Sequence, residues 1–184
     1  MADKDPYAPE YLGTIIAFVL PGFLSLWLIA RFDPASPAAA WLNTAQDKET
    51  TIGAFLFAGL ASLGLGLVLS GIRYLLYEAT GILTVVLRAP ARIEVDQRAR
   101  KEHEAAFREI TENHYKFYLF YANTSTALLL LLPVLWNHID RATVLWLVIL
   151  EGVLIASARD AIVRHRTKVQ ILLGVYEPPR KKTA

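Results

Sequence analysis

The chain has 184 residues, 54% of them hydrophobic, with no cysteine and a formal net charge of +2. Its mean hydropathy of +0.35 is high for a soluble domain of this size. The lack of cysteine excludes a disulfide framework, a thiolate metal site and a thiol nucleophile, and so small a net charge does not by itself argue for nucleic acid as a partner.

Residues 1–10 form an acidic, proline-bearing lead with no basic n-region, and no small-residue cleavage site follows. The first apolar block, 11–30, therefore reads as a retained membrane span and not as a signal peptide. Pro21 and Gly22 near its middle predict a hinge. Proline removes a helical N–H and clashes with the preceding turn, which lipid tolerates only where neighbouring helices cover the freed carbonyl. Residues 31–50, with two prolines and Trp41, read as an external loop touching the interface.

The second span, 52–77, contains the most apolar stretch of the chain, uncharged over 52–72. Ala54, Ala58, Ser62, Gly66 and Ser70 recur every fourth position and lay a flat stripe along one helix face. Membrane helices use such stripes for close packing within a chain and for self-association; the sequence leaves both open. Beyond Arg73 the pattern is mixed, as expected of a helix extension near the headgroups.

Residues 91–116 form a charged helix with opposite charges three or four apart. It carries Arg98, Arg100, His103 and His114. No breaker separates it from the third span, 117–136, so 91–136 is expected to be one rod about 70 Å long. The junction holds Tyr115, Phe117, Tyr118, Phe120 and Tyr121, an aromatic girdle of the kind that settles at headgroup level. After a tight turn at 137–140, the fourth span, 142–158, continues into a basic amphipathic tail, 159–184, with Arg159, Arg164, His165, Arg166 and Lys168.

Lysine and arginine are concentrated between 73 and 116 and after 158, whereas the two intervening connections carry only Arg31, Lys48 and Arg141. The positive-inside tendency then places both termini and the charged helix in the cytoplasm.

Glu151, near the middle of the fourth span, is the leading functional candidate, because an ionisable group there costs a few kcal/mol to insert, so it is kept facing protein or water. Asn123, Ser125 and Thr126 on the third span are its expected polar neighbours. Two roles fit: an ion or proton path, or a neutral or hydrogen-bonded carboxyl that fixes helix orientation. His103 and His114 stand too far apart on one helix to share a metal ion, and no metal or other cofactor is expected. Glycine-rich phosphate loops, Gly-x-Ser-x-Gly elbows and His-Glu-x-x-His motifs are absent, so the reading is non-enzymatic.

Three pairs, Arg98 with His103, Arg108 with His114 and Arg159 with His165, resemble at motif level the arginine–histidine motif of RNA-cleaving HEPN-type domains. That resemblance implies ribonuclease chemistry in a soluble helical bundle, for which this chain has little sequence outside its spans. The overall plan resembles the small multi-span membrane effector and accessory proteins of bacterial antiphage immunity. Together these observations predict an all-α membrane protein of one domain, a four-transmembrane-helix bundle with a cytosolic helical extension between spans two and three. The expected role is an oligomeric effector or scaffold in the bacterial inner membrane, with the lipid bilayer, further copies of itself and a soluble cytosolic protein as partners. A small ion or proton channel using Glu151 and an accessory subunit of a larger membrane enzyme are the alternatives.

Overall fold

A computed structural model describes residues 8–44, 52–80, 103–136 and 139–173. Among them the chain is all-helical, with no strand. Helix α1, Ala8–Phe32, runs unbroken through Pro21, so the expected hinge lies inside a single helix. The predicted external loop contains a short helix, α2, Pro37–Thr44. Ser36 starts it: its Oγ accepts from Ala39 N (3.2 Å), and Pro37 follows at the first helical position, where no N–H is missed.

Helix α3, Ile52–Arg73, passes directly into a π-helical turn, π1, Tyr74–Ala79. The charged segment appears as α4, Glu104–Ile110, followed by a second π turn, π2, Thr111–Tyr115, and then by α5, Lys116–Leu135. The described part of the expected rod is thus continuous from 104 to 135, while 91–102, with Arg98 and Arg100, lies outside the described residues. The last helix, α6, Arg141–Leu172, is 32 residues long, about 48 Å at 1.5 Å per residue. The fourth span and the first part of the basic segment that continues it are one helix. Asp140 caps it by accepting from Ala142 N (3.2 Å).

Among the described residues, three helices are long and apolar enough to cross a membrane, over Ile15–Phe32, Phe55–Ala79 and Arg141–Leu172. The predicted third span, α5, carries four consecutive polar residues, Asn123 to Thr126, and packs against α1, α3 and α6. Every residue from 122 to 128 is buried.

The three apolar helices turn large side chains outward, among them Phe23, Trp27, Phe55, Leu60, Trp146 and Leu150. The buried set includes Ser25, Ser62, Arg73, Asn123, Ser125 and Thr126. An apolar outer surface over an interior that mixes these polar groups with apolar ones departs from the pattern of a soluble protein and suits a chain solvated by lipid.

The small-residue stripe on α3 packs within the chain. A Cβ added at Gly66 would fall 2.0 Å from the Phe18 carbonyl oxygen, and one at Gly22 would fall 1.8 Å from that of Ser62. Ser62, Gly66 and Gly22 thus form the contact at which the α1 and α3 backbones touch. Ala58 and Ser70 flank it, half-buried; the side chain of Ala54 lies outside those described.

Candidate functional site

The polar interior is organised along α5. Its first link concerns Pro21, which has no N–H for the carbonyl of Ala17 four residues earlier. Asn123 Nδ2 donates to that carbonyl at 2.9 Å. The requirement that a neighbouring helix cover the freed carbonyl is met by a residue that the sequence pattern groups with Glu151 instead.

A second link comes from π1. Residues five apart lie about 140° around an α-helix, whereas an i→i+5 turn stacks them. The wider turn brings Glu78 under Arg73, and Arg73 Nη1 donates to Glu78 Oε1 at 2.6 Å and to the Tyr118 hydroxyl at 2.8 Å. The Arg73 and Glu78 side chains are only 5% and 15% exposed, so this is a buried ion pair held against α5. Sequence reasoning missed it, treating Arg73 as the polar end of a span and Tyr118 as part of an interfacial girdle. The five-residue spacing of Arg73 and Glu78 was the available signal, and it points to contact only once the turn is known to be π.

A third link runs across three elements. Glu151 on α6 accepts from the Ser125 hydroxyl on α5, and the Ser125 and Tyr77 hydroxyls share a hydrogen bond of 3.0 Å. The other Glu151 carboxyl oxygen is buried without a partner. Of the expected neighbours of Glu151, only Ser125 reaches it. Thr126 Oγ1 bonds back to the Ala122 carbonyl of its own helix at 2.8 Å, a local alternative open to threonine in helices.

At the end of the bundle that carries α4, π2 and α4 lie against α6. Tyr115 packs on His165 with ring centroids 5.1 Å apart. His114 stands within electrostatic reach of His165, Arg164, Lys168 and Asp160. Burial, reinforced by Lys168 and Arg164, holds the His114 imidazole below its ordinary range against the opposing pull of Asp160. Two of the three histidines of the Arg–His pairs are thereby brought together. His103 instead begins α4, and Arg108 pairs with Glu112 at 3.6 Å. Arg159 and Lys168 are exposed on α6, and Arg166 is half-buried.

A groove of about 350 Å³ between α1 and α5 is lined by Leu20, Phe23, Leu24, Trp27, Phe120 and Thr124. The Thr124 hydroxyl in it donates to the Phe120 carbonyl at 2.8 Å, so its proton is already committed within the helix. Among the described residues, no three His, Asp or Glu side chains converge to hold a metal ion. No family model matches the chain, and no curated protein or solved structure matches it either.

Proposed function

We propose that the chain is a non-enzymatic effector or scaffold subunit of the bacterial inner membrane, crossing it four times with both termini in the cytoplasm. In this reading α5 also crosses the bilayer, packed against α1, α3 and α6 with Leu129 and Leu130 still facing outward. The observation that carries the proposal is the use made of the buried polar groups. Asn123, Tyr118 and Ser125 each bond to another helix, so the interior chemistry fastens helices together. The α4–π2 segment, packed on the far half of α6, offers a helical platform for a soluble protein, and further copies of the chain meet through the apolar outer faces. The architectural resemblance to small antiphage effectors supports a role in defence.

The absence of native cysteine makes the test direct. Single cysteines at Thr143 and at His103 should label from outside and only from inside the cell, respectively, and purification in mild detergent should yield an oligomer with a soluble protein attached. Labelling of His103→Cys from outside, or a monomer without a partner at every concentration, would overturn the proposal.

A second reading has its own support. The Glu151–Ser125–Tyr77 chain is a run of exchangeable protons crossing three elements, and a carboxyl inside a span is a proton-path residue by default. Proton flux in proteoliposomes that disappears in Glu151→Gln would favour this reading; flux unchanged in that variant would remove it.

A further inference from the structure

We propose that the cleft where His114 and Tyr115 of π2 meet Arg164, His165 and Lys168 of α6 holds the phosphate of an anionic phospholipid headgroup. This rests on the reading that the apolar helices cross the bilayer, and adds to it a defined lipid site.

Among the described residues, basic side chains outnumber carboxylates in the cleft. His114 Nε2 and His165 Nδ1 are buried without hydrogen-bond partners, on two different elements. Arg164 and Lys168 bear on His114, and Arg166 bears on His165. The opposing carboxylate is Asp160, bound to Arg164 at 2.9 Å. Glu112 is directed elsewhere, toward Arg108 and Lys116. Among the described residues, Arg164 and Lys168 are set against one carboxylate, Asp160, an excess of positive charge that an anion relieves, and a phosphodiester, offering acceptors and one negative charge, complements an imidazole N–H, a guanidinium and an ammonium.

The position along α6 selects a lipid as the source of that phosphate. Arg164 lies eleven residues after Val153, three turns on and within about 20° of the same face. Val153 and Leu150 are 56% and 45% exposed, so acyl chains run along the apolar stretch directly below the basic one. Arg164 is also about 9 Å beyond Ala158 along the helix, near the outer edge of a headgroup layer about 5–8 Å thick.

The test is native mass spectrometry of the full chain in detergent, titrated with phosphatidylglycerol or with phosphatidylcholine. One phosphatidylglycerol per chain should be retained in preference to phosphatidylcholine. Lys168→Gln should weaken that retention about fivefold, and Arg164→Gln with Lys168→Gln should weaken it further. Lys168 is exposed, so its replacement leaves packing intact. Arg141→Gln, at the opposite end of α6, should change nothing. Equal retention of both lipids, or undiminished retention in the double variant, would overturn the proposal. Displacement by millimolar inorganic phosphate with no dependence on acyl chains would show a site for the free anion and overturn the lipid assignment. Membrane insertion is read separately, by resistance to alkaline extraction, so loss of lipid selectivity in an inserted protein refutes the site without refuting the spans.

Discussion

Asn123 Nδ2 donates at 2.9 Å to the carbonyl of Ala17, the one helical acceptor that Pro21 leaves without its N–H. The pair ties a backbone defect in α1 to a side chain on α5 more than a hundred residues later. In lipid no water is present to satisfy the carbonyl, so the proline and the asparagine form one unit.

Asn123→Ala should therefore destabilise the bundle by about 1–3 kcal/mol, the cost of leaving a buried carbonyl unsatisfied. In a Pro21→Ala background, where the new alanine supplies the missing N–H, the same substitution should cost clearly less. A double-mutant cycle by unfolding in detergent measures this coupling, and strictly additive losses would show that the two residues act independently.

Close approach of α1 and α3 at Gly22 and Gly66 predicts a sharp contrast among glycines of one helix. Gly66→Ala meets the Phe18 backbone and must push the helices apart, with a loss of about 1–3 kcal/mol or more. Gly64→Ala, whose Cβ meets nothing within 4 Å, should leave thermal stability unchanged or raise it through helix propensity. Equal effects at the two positions would contradict the packing.

Removing one member of the buried pair, by Arg73→Ala or Glu78→Ala, should cost about 3–5 kcal/mol because the other charge is left uncompensated. Replacing both by apolar residues of similar volume should be less damaging than either single change. Unfolding of the three variants in the same detergent decides it, and a double variant worse than both singles would count against the ion pair.

The depressed His114 fixes the sign of one pH effect. Because its folded-state value lies below the ordinary one of about 6.5, the unfolded chain takes up the proton first as pH falls. The stability linked to His114 is then fully present above the unfolded value and is lost as pH drops toward the folded one. Thermal unfolding followed from pH 7.5 to 5 should fall less steeply in His114→Gln than in the parent chain; identical slopes would show that His114 is not the group responsible.

The apolar helices α1, α3 and α6 were legible because length and apolar content are local properties, and 52–72 announces a span without reference to anything else. The helical character of the described part of the charged segment, 104–115, and its continuity with α5 were legible from propensity and the lack of a breaker. Even the need for a donor near Pro21 follows from the sequence. The identity of that donor does not, since Asn123 looks the same in sequence whether it faces Glu151 or Ala17.

A window average treats Asn123 and Ser125 as a penalty on α5, whereas the packing of α1 and α6 against that helix turns them into bonds between helices. Arg73 and Glu78 became partners only when π1 widened the helix, and His114 met His165 only when π2 and the continuous α6 set their register. What residues determine one turn at a time, including which segments are helical and which suit lipid, was contained in the chain itself. Partners distant in sequence were decided by tertiary structure, because a hydrogen bond or an ion pair depends on orientation to within an ångström, and composition carries no orientation.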